Sequence, residues 1–178
     1  MDQSDGLLRD RYRVISMLGR GGMGAVQLAY DTALDMQVAV KSNHNTDENS
    51  KEQFLREARL LATLRHPNLP RVIDHFIVED TQYLVMDYIP GKDLETLLDD
   101  EGIPPLNRVI DWTRQLGSAV SYLHSQNPPV FHRDIKPANV KITPDGQAIL
   151  VDFGLAKASD PTQATAAGAT GYTPGYAP

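Results

Sequence analysis

The stretch HRDIKPANV, residues 132–140, brings an acid, a cation and an amide together in one short loop. A hydroxyl nucleophile needs an acceptor for its proton, an anionic group in transfer needs a cation, and a metal ion needs oxygen ligands. Asp134, Lys136 and Asn139 supply these three residue types. A plain polar turn between a helix and a strand is the alternative. The density of matched residue types favours a catalytic loop.

A further acid stands downstream, at the end of an apolar run. AILV (148–151) predicts a buried strand, and DFG (152–154) follows it directly. The segment from Asn139 to Phe153 is typical of a small hairpin that turns at Pro144-Asp145-Gly146. Asn139 and Asp152 at its two ends would form a two-ligand oxygen site for magnesium, which takes few protein ligands beside phosphates and water.

Upstream, three glycines follow the pattern G-x-G-x-x-G at Gly19, Gly21 and Gly24. A dinucleotide-binding turn with this pattern needs a helix after it, whereas AVQLAY (25–30) continues as a strand. The context therefore predicts a hairpin with a glycine-rich tip. Such glycines can simply make a tight turn, or their backbone N–H groups can approach phosphate oxygens because no Cβ stands in the way.

A lysine and a glutamate form a candidate ion pair. Lys41 ends the apolar strand VAVK (38–41), where a solvent-exposed lysine is the ordinary case. Glu57 lies at the edge of the apolar stripe of a predicted helix, and a buried carboxylate needs a partner. Lys41 is the natural candidate, with a capping or solvent-facing role for Glu57 as the alternative.

The first half of the chain reads mainly as strands and the second half mainly as helices. One helix is predicted within residues 46–66, with Ser50 or Asp47 as its N-cap and Pro67 as its stop. A long helix follows at 105–126, and RVIDHFIVED (71–80) and TQYLVMDYI (81–89) read as strands. One side of the long helix gathers large apolar residues, and one face of the first helix does the same. The sets are Val109, Trp112, Leu116, Val120 and Leu123, and Phe54, Ala58, Leu61 and Leu64. This order suggests two lobes with a boundary near DYIPGK (87–92).

Composition excludes several classes of function. The 178 residues carry a net charge of -6, which argues against nucleic-acid binding through a basic face. With no cysteine, neither disulfides nor thiolate metal sites can form, which fits a reducing, cytoplasmic location. The histidines at 44, 66, 75 and 124 show no metal-ligand spacing and are expected to be structural or surface residues. Neither a signal peptide nor a membrane-spanning segment is predicted.

Taken in order, GRGGMGAV, VAVK, HRDIKPAN and DFG resemble the motif set of the protein kinases, of the serine/threonine type. The GGMG loop and the PGY near the end resemble the bacterial branch of that family. The resemblance extends over the whole chain and over about two-thirds of the family's catalytic domain. It implies an α+β, protein kinase-like fold: an antiparallel β N-lobe (12–86) with one regulatory helix, a hinge (87–91) and the first part of a mainly helical C-lobe (92–178). Residues 1–11 would form an N-terminal segment.

The resemblance also implies ATP and Mg²⁺ as cofactors and a protein with a Ser or Thr acceptor as substrate. Gly19, Gly21 and Gly24 would cover the phosphates. Lys41, fixed by Glu57, would hold the α- and β-phosphates. Asp134 would take the acceptor proton, Lys136 would steady the phosphoryl group, and Asn139 and Asp152 would bind magnesium. The adenine contacts would be Val26, Ala39, Met86 as gatekeeper, and the hinge residues Asp87, Tyr88 and Ile89.

One position departs from the family pattern. The residue two after Asn139 is usually apolar, because it forms the floor under adenine, and here it is Lys141. We expect its aliphatic stem to cover the ring while the ammonium group reaches solvent. Lys141→Leu should then leave ATP affinity similar or better.

Regulation is expected around the downstream loop. In similar kinases the arginine before the catalytic acid, here Arg133, pairs with a phosphorylated loop residue. Ser159, Thr162, Thr165 and Thr170 are available, and Thr165 has the expected spacing, with Thr170 second; ordinary loop composition is the alternative for each. Thr173 matches the family threonine that contacts the catalytic Asp and Lys. The terminal TPGYAP (173–178) resembles the segment before the Pro-Glu that closes the activation segment, so truncation of the catalytic domain is expected.

Three functions remain open on this evidence. The first is an ATP-dependent serine/threonine protein kinase, with autophosphorylation or self-association as accompanying properties. The second is a kinase-derived fragment that binds nucleotide or a partner without efficient turnover. The third, a small-molecule phosphotransferase of kinase-like fold, is disfavoured by the intact HRDIKPAN and by the threonine of TPGY.

Overall fold

The computed structural model describes residues 7–21, 24–44 and 48–152. The chain divides into two compact units. The first contains the residues up to Leu64 together with Arg71–Tyr88, and the second contains Arg65–Pro70 and the chain from Ile89 onward.

The first unit is built on a six-stranded antiparallel sheet. Its strands are β1 (Leu7–Leu8), β2 (Tyr12–Gly21), β3 (Gly24–Asp31), β4 (Met36–Asn43), β5 (Val72–Val78) and β6 (Thr81–Asp87). They lie in the order β1-β2-β3-β4-β6-β5. Short turns join β3 to β4 and β5 to β6, and β2 pairs antiparallel with β3, so chain neighbours pair as hairpins, as the alternating pattern predicts.

The two faces of this sheet carry different sets of residues. On one face, Tyr12 and Val38 are fully buried in a core cluster with Phe76, whose ring stacks on that of Tyr12 at 5.7 Å between centroids. On the other face, directly opposed residues of neighbouring strands form two rows. These rows are Val26, Lys41 and Leu84, and Leu28, Ala39 and Met86.

Helix α1 (Glu48–Thr63) packs against β5 and β6 of the same unit. The predicted stripe is confirmed, because Phe54, Ala58, Leu61 and Leu64 are all at most 4% exposed. The proposed N-cap at Ser50 is wrong, since the helix already includes that residue, and the alternative cap Asp47 lies outside the described residues. The helix ends four residues before Pro67, in keeping with its role as a stop.

A network of charges fastens the start of the chain to the sheet. Asp31, whose side chain is fully buried, accepts hydrogen bonds from Arg11 Nε at 2.8 Å and Arg11 Nη2 at 2.7 Å. This bidentate partner holds the pKa of the Asp31 carboxyl below its ordinary value. Asp74 accepts from the Tyr12 hydroxyl at 2.9 Å and from Arg9 Nη1 at 3.1 Å. These bonds fix β1, a strand that the sequence pattern did not predict.

Up to residue 152, where the described part of the chain ends, the second unit contains two helices and a small sheet. Its elements are β7 (Lys92–Asp93), α2 (Leu94–Glu101), α3 (Leu106–His124), a 3₁₀ turn (Pro137–Asn139), β8 (Val140–Ile142) and β9 (Ala148–Leu150). The strands lie in the order β7-β8-β9. The predicted hairpin is present, with Gly146 at positive φ in its turn. Asp93 caps α2 by accepting from Thr96 N at 2.8 Å.

Helix α3 packs on β9 through a narrower face than predicted. Trp112, Ala119 and Leu123 are buried, whereas Val109 is 38% exposed and lies toward the edge of that face. Trp112 Nε1 also donates to Gly146 O at 3.0 Å, which ties the helix to the β8–β9 turn. Among the residues that the structure describes, no helix is long and apolar enough to cross a membrane.

Candidate active site

Lys136 and Asn139 of the HRDIKPANV loop lie around the carboxylate of Asp134. The Asn139 side-chain Nδ2 donates to Asp134 Oδ2 at 2.9 Å and to Asp134 O at 2.7 Å. Lys136 Nζ lies 3.0 Å from the same Oδ2. The 3₁₀ turn makes this possible, because Asn139 N donates back to Lys136 O at 2.9 Å and folds the loop on itself.

This cluster keeps access to solvent despite its close packing. The side chains of Asp134 and Lys136 are each 26% exposed, whereas Asn139 is buried. The amide and the ammonium group orient this carboxylate, and its partial exposure lets a hydroxyl group approach. The arrangement can therefore accept a proton from a nucleophile and place a cation beside it.

Asp152 is placed next to this loop through the backbone of its neighbour. Val151 N donates to Asn139 O at 2.8 Å, and His132 Nε2 lies 3.0 Å from Val151 O. Asp152 itself has φ of 58° and Arg133 has φ of 64°, a region that non-glycine residues adopt uncommonly. The loop and the end of β9 are thus held together just before the acidic residue.

The donor set around Asn139 suits a hard cation. The amide nitrogen of Asn139 is engaged by Asp134, so Oδ1 is the amide atom that can ligate a metal. Asp152 would add a carboxylate, and magnesium prefers such oxygen ligands. In the described part of the chain, no cluster of three or more His, Cys, Asp or Glu residues could hold a metal by itself. A site with two protein ligands and substrate phosphates does not need one.

The ammonium group of Lys141 has a backbone partner. Its Nζ donates to Gly91 O at 3.1 Å in a solvent-exposed hydrogen bond. The stem of Lys141 as the floor under adenine stays a prediction. Lys141 is opposite Asp93 in the β7–β8 pair, so the side chain runs along the segment that precedes α2. Gly91 has φ of +107°, and a Cβ there would lie 2.1 Å from Ile142 O. Only glycine fits this close approach of the two chain segments.

In the first unit, the predicted adenine and phosphate residues share one sheet face. Val26 is opposite Lys41, and Ala39 is opposite Met86, with Lys41 and Ala39 two residues apart on β4. Ala39 and Met86 are each 7% exposed, while Val26 and Lys41 are half-buried. Four predicted site residues are therefore neighbours across three strands.

The glycines of the hairpin are not equivalent. Gly21 pairs with Gly24 at the end of β2 and β3, and residues 22 and 23 lie outside the described residues. A Cβ on Gly24 would lie 1.8 Å from Ser42 O on β4, whereas one on Gly19 would meet nothing within 4 Å. Gly24 is thus required by the approach of the neighbouring strand, and Gly19 is not required by packing.

Glu57 is buried in α1, at 4% exposure. A solvent-facing role is therefore wrong, and a capping role is excluded by its position well inside the helix. The ion pair with Lys41 stays a prediction. Asp87, one of the predicted hinge residues, accepts from Arg71 N and Nε at 3.0 and 2.9 Å, and Tyr88 and Ile89 are half-buried.

Sequence reasoning missed Arg71, because no local pattern links residues so far apart. It also missed Asn68, which is buried and bonds to both α3 and β9. The remaining predicted residues lie outside the described residues. They are Phe153 and Gly154 of DFG and the loop positions Ser159, Thr162, Thr165, Thr170 and Thr173.

Residues 12–178 match the sequence model of the protein kinase domain. The chain belongs to the protein kinase family. Among curated relatives, this kinase chain is 38% identical to the serine/threonine-protein kinase PknA of Mycobacterium tuberculosis, over 90% of the chain and 39% of PknA. It is 36% identical to the serine/threonine-protein kinase pkn2 of Myxococcus xanthus, over 97% of the chain and 22% of pkn2. The chain thus spans well under half the length of these relatives.

Solved structures agree with the kinase fold. A crystal structure of Rad53 1–466 in complex with AMP-PNP matches with a TM-score of 0.74 at 27% identity. The match covers 83% of this chain and 39% of that one. The α+β, protein kinase-like fold expected from the motifs is confirmed, and so is the relation to bacterial serine/threonine kinases.

Proposed function

We propose that the chain is the catalytic part of an ATP-dependent serine/threonine protein kinase, which transfers the γ-phosphoryl group of ATP to a protein hydroxyl. The observation that supports this most is the cluster in which Asp134 Oδ2 lies within 3.0 Å of both Lys136 Nζ and Asn139 Nδ2. Phosphoryl transfer depends mainly on positioning and on charge stabilisation, and these three groups supply both.

Each predicted site residue of the second unit has one task in this proposal. Asp134 orients the acceptor hydroxyl and takes its proton, and Lys136 balances the charge on the transferred group. Asn139 Oδ1 and the Asp152 carboxylate would hold Mg²⁺, which when bound neutralises charge on the phosphate oxygens. The stem of Lys141 would contact the adenine.

Residues of the first unit, together with Ile89 of the second, would bind the rest of the nucleotide. Gly19, Gly21 and Gly24 would present backbone N–H groups to the phosphates, and Lys41 would contact the α- and β-phosphates while paired with Glu57. The adenine would contact the apolar residues of the same sheet face and the chain that leaves β6. These residues are Val26, Ala39, Met86, Asp87, Tyr88 and Ile89.

The test is phosphate transfer from radiolabelled ATP to the chain itself and to a general acceptor such as casein. Asp134→Asn should reduce transfer by about 10²–10⁴-fold, the usual contribution of a general base. Asp99→Asn on the exposed side of α2 is the matched control and should keep full activity. If nucleotide binds but wild type and Asp134→Asn both transfer no phosphate, the binding-module alternative replaces the kinase.

Regulation by loop phosphorylation is part of the proposal. Arg133 is exposed, so its guanidinium group can reach a phosphate group and pair with its negative charge. We predict that incubation with Mg·ATP phosphorylates Thr165, with Thr170 second, and that peptide mass spectrometry detects the modification there. A phosphate found only elsewhere, or none on a chain that phosphorylates casein, would contradict this prediction.

A further inference from the structure

The short turn HPNLP (66–70) belongs to the second unit, although it lies in sequence between α1 and β5 of the first. His66 closes the turn, because its Nδ1 accepts from Asn68 N at 3.1 Å and its carbonyl accepts from Leu69 N at 3.1 Å. On its other side, His66 Nε2 lies 3.1 Å from Ser118 Oγ of α3. The ring packs against that of Tyr122 at 5.3 Å.

Asn68 connects this turn to two other elements. Its Nδ2 donates to Gln115 Oε1 of α3 and to Ala148 O of β9, each at 2.9 Å. Gln115 Oε1 also accepts from Ala148 N at 2.9 Å. The backbone carbonyl of Asn68 accepts from Leu150 N at 2.9 Å. Asn68 is only 7% exposed, so these bonds are shielded from competing water.

Strand β9, which these bonds of Asn68 hold in place, leads directly to Asp152, the proposed metal ligand. Asn68 fixes both ends of β9, at Ala148 and at Leu150. The next residue, Val151, is fixed by Asn139 and His132 of the catalytic loop. Asp152 follows with positive φ. A change in the turn at residues 66–68 would therefore shift β9 and, with it, the position of the Asp152 carboxylate.

We propose that His66 and Asn68 are positioning residues for Asp152, and that the arrangement needs a neutral His66. This inference rests on the proposed function, since it assigns Asp152 to metal–nucleotide binding. Neither residue touches the nucleotide. Both act through β9.

The hydrogen bonds of His66 fix which proton it carries. Nδ1 accepts a backbone N–H, so it must be unprotonated, and Nε2 carries the ring proton. A second proton on Nδ1 would face the N–H of Asn68 and break this bond. Burial lowers the pKa of His66 below its ordinary value, which agrees with a site built for the neutral ring.

Among the described residues that contact His66, none is an acid that would stabilise an added proton. In the contacts described, α3 presents the Tyr122 phenol and the Ser118 hydroxyl, and β9 reaches the turn through backbone atoms. The neighbouring charged residue of the turn is the cation Arg65, whose backbone N donates to the Tyr122 hydroxyl at 2.8 Å.

The sign of the pH effect follows from the lowered pKa. The unfolded chain takes up a proton on this histidine at a higher pH than the folded chain does. The stability that the neutral His66 gives to the folded chain is therefore complete above about pH 6.5, the ordinary histidine pKa. It is lost progressively as the pH falls toward and through the lower folded-state pKa.

His66→Asn is the deciding variant. An asparagine Oδ1 accepts the N–H two residues on in an Asx turn, so the turn is kept while the titrating group is removed. His124→Asn, an exposed histidine at the end of α3, is the matched control. Two quantities are measured on the full chain between about pH 7.5 and pH 5.5, on either side of the histidine pKa. They are the hydrogen-exchange protection of the Leu150 and Val151 amides, and the Kd of Mg·AMP-PNP.

In wild type and in His124→Asn, lowering the pH should reduce the hydrogen-exchange protection of both amides and raise the Kd of Mg·AMP-PNP several-fold. In His66→Asn, both effects should be largely abolished. Asn68→Ala should show weak binding and low protection at every pH. Wild type that fails to bind Mg·AMP-PNP at any pH would overturn the proposed function. Wild type that binds, with the same acid weakening in His66→Asn, would overturn this inference alone.

Discussion

At the scale of single residues, one carboxylate organises the candidate site. Asp134 Oδ2 accepts a hydrogen bond from Asn139 Nδ2 at 2.9 Å and lies 3.0 Å from Lys136 Nζ. The sequence predicted these three residues from their chemical types alone. It could not predict that Lys136 Nζ and Asn139 Nδ2 would converge on the same oxygen of Asp134. That convergence depends on the 3₁₀ turn that folds Asn139 back over the loop.

Lys141 provides a prediction at this scale. Lys141→Leu keeps an apolar stem but loses the bond to Gly91 O. We expect the Kd of Mg·AMP-PNP to stay within about twofold, because the stem and not the ammonium would contact the adenine. The free energy of unfolding should fall by about 1 kcal/mol, the net value of one hydrogen bond. Calorimetric titration and thermal unfolding measure the two effects.

Lys92→Leu is the control for this prediction, since Lys92 lies on β7 nearby but pairs with Asp100 on the exposed side of α2. A tenfold loss of nucleotide affinity in Lys141→Leu alone would show that the ammonium group itself contacts the nucleotide. That outcome would contradict the assignment of Lys141 as an apolar floor.

At the scale of elements, the β2–β3 hairpin shows what a motif can and cannot predict. G-x-G-x-x-G marked the hairpin tip correctly, but it did not distinguish glycines that packing requires from those that it does not. That distinction comes from the third strand, since Ser42 O of β4 occupies the space where a Cβ on Gly24 would stand. A local sequence pattern contains no information about the distance between two strands.

The two glycines make a matched pair of variants. Gly24→Ala should destabilise the chain by about 1–3 kcal/mol, because its Cβ would collide with backbone that cannot move without breaking the β3–β4 pair. Gly19→Ala should change the free energy of unfolding by less than about 0.5 kcal/mol, the usual limit for a surface substitution. Urea unfolding of both variants checks this. Equal stability of the two would contradict the described approach of β4 to Gly24.

Other elements were predicted to the extent that their signal is long and periodic. The stripe of α1 and the strands β2 to β6 show such patterns, and the structure contains them. The strands β1 and β7 have two residues each, too few for a period to be visible. The N-cap at Ser50 was wrong because an acceptable capping residue inside a helix looks the same in sequence as one at its start.

At the scale of the whole molecule, the chain consists of two units that each bury apolar side chains. The first has the cluster around Tyr12, Val38 and Phe76. In the second, Trp112 and Leu123 of α3 are buried in the unit that contains the β8–β9 hairpin. The order of strands and helices predicted two lobes. It did not predict that Arg65–Pro70 belongs by its contacts to the second unit, because those contacts run through Asn68 to residues far away in sequence.

The central claim is that this chain binds Mg·ATP through Asn139 and Asp152 and uses it for phosphoryl transfer. The most direct measurement is thermal unfolding of the chain with and without Mg·ATP, beside Asp152→Asn. A ligand that binds only the folded state stabilises it by about 2.7 kcal/mol at a hundredfold excess over Kd, which raises the Tm of a chain of this length by about 5–11 °C. We predict a cooperative transition that rises with Mg·ATP and rises less in Asp152→Asn. A transition that does not respond to Mg·ATP, or that responds equally in Asp152→Asn, would contradict the claim.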